Sequence, residues 1–377
     1  MNLSLLGDSP LAITQQAIGI FLASKQDNGQ IAGISYWQTA NGYTAIALHD
    51  SWSHTTGNVE ILHDLLSKVE DGQKNYINEF NDDSMWWAMC MLETYNLAQD
   101  PNHLRVARSI WTHVRDYVVP PRRYIIDDND MEGGVMWTSK PNETQLNAIT
   151  AGLFSELSAR LACLHEDAAS RQKHLDFAIG SLSWILRCRF VPDQYLVLDH
   201  IDLDTGQKTD WTFTYNTGQA IAASIAVYDV MNQNNTDQSQ SSNGRVYLDL
   251  ACNMARRAMT RPGWVDDNGT LTEPDAYPGT GDGRKQAWEN SDGVGFKAVL
   301  VRGLAKLYKT IQRDEADLEL QTQIAKFIEW QFQSLQERDT NGQGQYGPWW
   351  DGPMDLPTSH SQLAVLDVMA AIHAVRE

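Results

Sequence analysis

Basic residues are scarce in this sequence. Its 377 residues include 29 Lys and Arg against 48 Asp and Glu, which gives a formal net charge of −19 at pH 7 with His neutral. Nucleic acids and anionic lipid surfaces are bound through clustered Lys and Arg. The composition therefore argues against nucleic acid and membrane partners and against a polyanionic substrate.

Long apolar runs are also missing. No stretch approaches the roughly 20 residues that cross a bilayer, so we expect no membrane insertion. Residues 1–10 lack the pattern of a secretory signal, which leaves a cytosolic protein or a secreted one whose signal is absent from this sequence. Four N-glycosylation sequons favour the second case, and we expect an extracellular location. The sequons begin at Asn2, Asn142, Asn234 and Asn268.

Motifs of several common enzyme classes are absent. There is no Walker loop, no glycine-rich dinucleotide fingerprint, no HExxH and no GxSxG, so nothing indicates a nucleotide enzyme, a zinc peptidase or a serine hydrolase. The four Cys have no metal or disulfide spacing and are typical of small buried residues. His49, His54 and His63 fall on different faces of one helical region, and we expect no metal and no cofactor.

What the sequence does contain is a repeat of amphipathic helices. Ala107, Ala178, Ala251 and Ala325 occupy equivalent positions at intervals of 71, 73 and 74 residues, each in a helix with one apolar stripe. A second helix, apolar on most faces, precedes each of these and must be covered on most faces. These predicted inner helices are residues 83–98, 143–164, 216–231 and 292–311.

Further helices complete the repeat. Residues 43–54 and 59–69 form a shorter pair, 359–375 has the pattern of an inner helix, and 11–24 that of an outer helix. If the two terminal helices pair with each other, six pairs close into an (α/α)6 barrel, an all-α fold with one catalytic domain over residues 1–377. An open solenoid is the alternative, but it needs polar end caps that the apolar C-terminal helix does not provide.

Four long loops lead from an outer helix to the next inner helix. By connectivity they emerge on one face, which carries the N-termini of the inner helices. The loops are rich in Trp, Gly, Tyr and Asp, so we expect them to be functional. They comprise residues 119–142, 189–215, 262–291 and 337–358.

Trp is abundant, with 13 residues. An indole packs in a core but also stacks on sugar rings. We predict that Trp111, Trp184 and Trp330 are core residues of outer helices, and that the excess lies where a sugar chain would bind. The Trp residues predicted on the loop face are Trp86, Trp87, Trp137, Trp211, Trp264, Trp288, Trp349 and Trp350.

The strongest candidate site is the pair Asp82-Asp83, which opens an inner helix one turn before Trp86 and Trp87. A helix cap explains one acid easily and two only tolerably. Neighbouring carboxylates repel each other, which raises one pKa, while the helix dipole and hydrogen-bond donors keep the other acid ionised. One protonated and one ionised carboxyl group are what a general acid and a nucleophile require. The other acidic doublets are typical of turns; they are Asp127-Asp128 and Asp266-Asp267.

Two further stretches are candidates for binding. Gly133-Gly134, shortly before Trp137, indicates backbone that passes close to a ligand. Residues 211–219 bring aromatic rings and an amide to the start of an inner helix, either as a binding surface or as a helix cap with packed rings.

These motifs together resemble glycoside hydrolase family 76. The resemblance implies an (α/α)6 endo-α-1,6-mannanase, or a related transglycosidase acting on cell-wall mannoprotein or GPI-type glycans. It further implies a retaining mechanism, with Asp82 as nucleophile, Asp83 as general acid/base and Asp199 as a sugar contact, although His200 stands where the family usually has Gly. The motifs occur in the family's order over nearly the whole chain: Asp82-Asp83-x-x-Trp86-Trp87, Gly133-Gly134-Val-Met-Trp137, Thr214-Tyr215-Asn216-Thr-Gly218 and Phe296-Lys297.

The predicted substrate is an α-1,6-linked glycan of mannan or mannoprotein, bound by a monomer. Retention requires carboxyl groups about 5 to 5.5 Å apart, which adjacent residues reach more readily than the roughly 6.5 to 9.5 Å of inversion. A transglycosidase, a non-catalytic glycan-binding module and a hydrolase of unsaturated uronides remain alternatives. The predicted substrate-binding residues are Asn81, Trp86, Gly133, Gly134, Trp137, Asp199, Trp211, Tyr215 and Asn216.

Overall fold

The computed structural model describes residues 9–165, 167–233, 241–273 and 292–376, and within them the chain is largely helical. Part of the predicted loop 262–291, with Trp288, lies outside the described residues. Six helices form an inner layer: α2 (Tyr36–Trp52), α4 (Asn81–Ala98), α6 (Ala148–Cys163), α8 (Thr214–Gln233), α10 (Gly293–Asp314) and α12 (Ser359–Arg376). Six form an outer layer: α1 (Pro10–Leu22), α3 (Val59–Gly72), α5 (Pro101–Arg115), α7 (Ala168–Trp184), α9 (Ser241–Ala258) and α11 (Leu318–Arg338).

The two layers differ in how their side chains are distributed. Inner helices are buried on nearly every face, as in α6, where only a few positions near the C-terminal end reach solvent. Outer helices bury one stripe, and in α5 it includes Val106, Ile110 and Val114. The repeated Ala lies in this stripe and is fully buried at Ala107, Ala178 and Ala251. At Ala325 it is half-buried.

The inner helices form a closed ring. Each packs against the next one along the chain, and α12 packs against both α10 and α2. A buried ion pair between Arg302 of α10 and Asp367 of α12 extends to Asn41 of α2, because the Arg302 guanidinium also donates to the Asn41 side-chain oxygen at 2.8 Å. The first outer helix, α1, packs against α12, as predicted. The predicted (α/α)6 barrel is confirmed.

Two helix boundaries differ from the prediction. Helix α2 begins at Tyr36, seven residues before the predicted start, because the Gln38 side chain accepts the Ser35 N–H at 2.7 Å and caps the first turn. Helix α6 begins at Ala148, five residues after the predicted start, since residues 145–147 are taken into a sheet.

Short strands organise the loops on the N-terminal face of the inner helices. Strand β3 (Gln145–Asn147) pairs antiparallel with β6 (His200–Asp202), which also pairs with β7 (Lys208–Thr209), so Asn147 lies opposite His200. Two separate hairpins consist of β1 (Ile125–Ile126) with β2 (Asn129–Asp130) and β4 (Phe190–Val191) with β5 (Leu196–Val197). Among the described helices, none combines the length and apolar character that crossing a bilayer requires.

Candidate active site

A cavity of about 410 Å³ opens at the N-terminal end of the helical ring. The first turns or N-caps of five inner helices supply most of its wall, so the helix N-termini converge on one space. Each N-terminus carries a partial positive charge that favours anions. The lining residues are Ser35, Trp37, Phe80, Asp82, Asp83, Trp86, Trp137, Asn147, Tyr215, Asp292 and Phe296.

The start of α4 is fixed by its contacts with a neighbouring loop. The Asn81 backbone N–H donates to the Trp137 carbonyl at 2.8 Å, and the Asn81 side chain donates to the Met136 carbonyl at 2.9 Å. Ser84 donates its hydroxyl to the Phe80 carbonyl at 3.0 Å. The two Asn81 bonds attach the loop to the first turn of α4, and Asn81 is fully buried and does not line the cavity.

Asp82 is held by two N–H donors. The Trp137 indole N–H donates to Asp82 Oδ2 at 3.1 Å, and the Asp83 backbone N–H donates to Asp82 Oδ1 at 3.0 Å. Burial, and then the adjacent Asp83 carboxylate, raise the pKa of Asp82 well above its usual range, while both donors act in the opposite direction. The donors also fix the orientation of the carboxylate toward the cavity.

Asp83 has a less constrained carboxylate. One donor, the Asn78 side-chain amide, reaches Asp83 Oδ2 at 2.8 Å. Burial raises the pKa of Asp83 to about 6, and the negative charges of Asp292 and Glu79 add to the effect, against the Asn78 hydrogen bond. Asp292 itself accepts a hydrogen bond from the Gln38 side chain at 3.1 Å. A carboxyl with this pKa exchanges its proton close to neutral pH.

Aromatic rings form a continuous row along one side of the cavity. Trp86 stacks with Trp37 at 6.1 Å between ring centroids, and Trp37 lies 6.3 Å from Phe296. Phe296 in turn stacks on Tyr215 at 4.1 Å. The row continues outward through Phe213 to Trp211, which is 55% exposed.

A second pair of aromatic rings lines the cavity next to the two acids. Phe80 and Trp137 lie 5.0 Å apart between ring centroids, and the Trp137 indole both faces the cavity and holds Asp82. Flat apolar faces that line the same cavity as a pair of carboxyl groups provide the stacking surfaces that sugar rings use.

The sequence matches one protein family over nearly its whole length. The model of glycosyl hydrolase family 76 matches residues 12–376. The chain belongs to glycosyl hydrolase family 76. The resemblance drawn from the sequence motifs is thereby confirmed.

One curated relative matches over a limited part. The meiotically up-regulated gene 191 protein of Schizosaccharomyces pombe is 30% identical over 103 residues, which amount to 25% of this chain and 22% of that protein. The aligned part thus spans less than a quarter of the yeast protein.

Solved structures match nearly the whole of this family 76 chain. One is an inactive variant of the α-1,6-mannanase of a Salegentibacter species, with two consecutive aspartates replaced by alanine, in complex with α-1,6-mannotetrose; it has a TM-score of 0.79 and 21% identity over 98% of this chain and 100% of that chain. Dfg5 of Chaetomium thermophilum in complex with glucosamine has a TM-score of 0.68 and 14% identity over 98% and 90%. The likeness to both supports the fold.

Gly133 and Gly134, two glycines of the family 76 motifs, lie outside the cavity that holds the two acids. Gly133 has φ of +85°, and a Cβ there would stand 2.3 Å from the Gly180 carbonyl oxygen of α7. A Cβ on Gly134 would stand 2.7 Å from Leu146 and 2.9 Å from the indole of Trp184. Close packing against neighbouring protein explains why glycine is needed at both positions. Neither lines the cavity.

Asp199 and Asn216 lie behind the cavity wall. Asn216 donates its side-chain amide to Asp199 Oδ1 at 3.1 Å, and His200 Nδ1 lies 2.9 Å from Asp199 Oδ2. Asp199 is 4% exposed and its backbone carbonyl accepts the Ala148 N–H at 2.9 Å. Neither residue lines the cavity, and the Asp199 carbonyl supports the start of α6. Their role in sugar binding stays a prediction.

The division of the tryptophans between core and loop face differs from the prediction. Trp111 and Trp184 are buried as predicted, but Trp330 is half-buried. Several of the residues assigned to the sugar-binding face are core residues, because the first turns of the ring and the loops beneath them are themselves packed. These buried residues are Trp87, Trp264, Trp349 and Trp350.

Sequence reasoning missed several lining residues. Trp37 lies in the first turn of α2, and recognising the capping box formed by Ser35 and Gln38 would have placed it at the mouth of the barrel. Asn147 is the N-cap of α6, hidden within the segment predicted as helix. Phe80 is the N-cap of α4, directly before the predicted site. Position at the start of an inner helix is the signal these residues share.

Proposed function

We propose that this chain is a retaining endo-α-1,6-mannanase, with Asp82 as nucleophile and Asp83 as general acid/base. The observation that carries the proposal is the pair of adjacent carboxyl groups in a cavity walled by aromatic rings. The inactivity of the structurally similar Salegentibacter mannanase variant, in which two consecutive aspartates are replaced, supports the assignment to this pair.

The proposed reaction has two displacements. An Asp82 oxygen attacks the anomeric carbon while Asp83 transfers its proton to the departing glycosidic oxygen, which leaves a glycosyl ester on Asp82. Asp83, now a carboxylate, then takes a proton from water as the water oxygen attacks the same carbon and releases Asp82. Two inversions at one carbon give net retention of configuration.

The hydrogen bonds support this division of roles. N–H donors favour an ionised carboxylate, and Asp82 accepts two of them whereas Asp83 accepts one. Burial raises the pKa of Asp82 well above its usual range, so the assignment rests on these donors: we propose that Asp82 is the ionised member of the pair when a sugar is bound and that Asp83, with a pKa of about 6, carries the proton and transfers it in both directions. Hydrolysis is expected to decline above about pH 6, since Asp83 then loses its proton.

The cavity wall also supports a neutral substrate. None of the described lining residues is Lys or Arg, whereas three are acidic: Asp82, Asp83 and Asp292. This composition disfavours the uronide-cleaving alternative. The hydroxyl groups of a mannose unit can instead bond to the carboxylates and to Asn147. The face of the sugar ring can stack on Trp137 and Tyr215.

Hydrolysis of linear α-1,6-mannan by three variants tests the proposal. D82N and D83N should each lose activity by several orders of magnitude while the circular dichroism spectrum stays unchanged. D128N is the matched control, because Asp128 belongs to an exposed acidic doublet in a turn and should retain full activity. Wild-type rates in D82N or D83N, or a first-formed product of β configuration by NMR, would reject the assignment.

Transglycosylation is the second candidate function. The structural likeness to Dfg5 in complex with glucosamine favours it, because amino sugars are possible acceptors. An acceptor-rich assay with mannotetraose as donor decides the balance. Transfer products that exceed released reducing sugar would assign the protein as a transferase that uses the same two acids.

A further inference from the structure

Three side chains from two outer helices meet on the outside of the barrel, far in sequence from the acid pair. His63 belongs to α3, while Asp100 is the N-cap of α5 and His103 lies in its first turn. One potential ligand atom from each residue lies within 4.8 Å of the corresponding atoms of the other two. None of the three lines the candidate active site.

His103 is the unusual member of this cluster. It is 6% exposed, and its Nδ1 is buried with no hydrogen-bond partner in the described part of the chain. Its ring stands edge-on to that of His63, with centroids 6.3 Å apart. Buried polar atoms are almost always paired, and an unpaired one is commonly explained by a water molecule or an ion that binds there.

The chemistry of the cluster suits one class of ion. The buried Nδ1 of His103 has no hydrogen-bond partner among the described residues, and an imidazole nitrogen is a common metal ligand. One oxygen of Asp100 accepts the Asn102 N–H at 2.9 Å, which leaves the other oxygen available. Two imidazoles and one carboxylate are a ligand set for Zn²⁺ or a similar transition metal, whereas Mg²⁺ and Ca²⁺ prefer oxygen alone.

We propose that His63, Asp100 and His103 form a zinc site that joins α3 to α5. The three ligand atoms lie within 4.8 Å of one another, and the exposed His63 side chain can adjust to a tetrahedral Zn²⁺ with bonds of roughly 2.0 to 2.2 Å. The fourth position would be taken by water. The site is structural, because it ties two outer helices together at a distance from the carboxyl pair.

Zinc titration of chelator-treated protein tests the site. We expect the full chain to bind one Zn²⁺ at this cluster by isothermal titration calorimetry and to gain thermal stability from it. H63A removes an exposed ligand, and D100N keeps a side chain that caps α5 while it removes the carboxylate. Each should lower zinc affinity at least tenfold and abolish the zinc-dependent rise in Tm. Mannan hydrolysis should be unchanged in both.

H54A is the matched control, since His54 is another exposed histidine outside the cluster, and it should bind zinc as the wild type does. Equal zinc binding by wild type, H63A and D100N would overturn the proposal, as would a wild type that binds none. Equal stabilisation by Mg²⁺ would also overturn it, because that result would show general screening of a protein with net charge −19.

Discussion

Trp137 connects the wall of the cavity to its chemistry, because one indole both presents a ring face and donates a hydrogen bond to Asp82. The bond favours the ionised form of a carboxyl whose burial favours the neutral form. The nucleophile that we propose therefore depends on a residue contributed by a different loop. A substitution can test the aromatic ring of Trp137 and its N–H donor separately.

Replacing Trp137 by Phe keeps an aromatic ring and removes the donor. The pKa of Asp82 should rise further, so the acidic limb of the pH profile of kcat/KM should move to higher pH. A hydrogen bond to a charged group contributes about 1.5–3 kcal/mol, so we expect a loss of roughly tenfold or more in kcat/KM on the acidic side.

W111F is the matched control for that change. The Trp111 indole donates to Ser158 at 2.7 Å in a buried position away from the cavity. It should lower Tm and leave the shape of the pH profile unaltered. A profile in W137F that superimposes on that of the wild type would contradict the role given to the indole.

Asp83 should destabilise the folded protein at neutral pH. Its pKa is about 6 in the fold and about 4 in an unfolded chain, so the folded state holds more protons between those values and stability falls as pH rises through that window. A difference of about 2 in pKa corresponds to roughly 3 kcal/mol. D83N should therefore raise Tm at pH 7 but not at pH 4, measured by differential scanning fluorimetry. An equal gain at both pH values would exclude this origin.

At the scale of elements, the contact between Gly133 and α7 makes a matched pair of glycines informative. Gly133→Ala puts a Cβ against the Gly180 carbonyl at a positive φ and should destabilise the protein by at least about 1–3 kcal/mol. Gly19→Ala lies on the exposed side of α1 with no atom near its Cβ, and should stabilise by about 0.5–1 kcal/mol through helix propensity.

Urea denaturation of both variants measures these differences. Mannan hydrolysis by folded G133A should be close to wild type, since the glycine packs against α7 and does not line the cavity that holds the two acids. A selective loss of activity without loss of stability would instead support the binding role that the sequence predicts.

The existence and order of the helices were readable from the sequence, because a buried stripe and an all-round apolar helix have distinct patterns. Their exact starts depend on contacts that a linear pattern does not record. Gln38 caps α2 through the Ser35 N–H, and residues 145–147 leave α6 because β6, more than fifty residues later, pairs with them.

The candidate site, too, was only partly predictable from the sequence. Asp82 and Asp83 could be found because the pair is contiguous, and its place at a helix start is a local property. Inner helices are apolar on most faces, so the sequence does not say which Trp faces the cavity, and Trp86 and Trp87 end with different neighbours. Asp199 and Asn216 pair with each other across the loop, which removes them from the wall.

At the scale of the whole molecule, the ring is joined across α10, α12 and α2 by the buried ion pair of Arg302 and Asp367. R302M would leave the Asp367 carboxylate buried without its partner, and burial already raises the pKa of that carboxyl. We expect a loss of about 3–5 kcal/mol in the free energy of unfolding. The double variant R302M/D367L should recover most of it, as an apolar pair of similar volume often does.

Chemical denaturation of the two variants side by side tests this expectation. A double variant as unstable as R302M would indicate that the bonds to Asn41, and not the unpaired carboxylate, account for the loss. Trp86 lies with its ring 6.0 Å from the Arg302 guanidinium, so mannan hydrolysis would report whether the closure also supports the cavity wall.

The pairing of α1 with α12 has a topological consequence. Thr14 near the start of α1 bonds to Met369 and His373 near the end of α12, so the two helices run antiparallel and residues 10 and 376 lie at the same end of the barrel. The chain of a closed ring of six helix pairs could therefore begin at any of the pairs. A short linker between these ends, with new termini opened in the turn between α2 and α3, should give a circular permutant that folds and keeps the arrangement of the two acids.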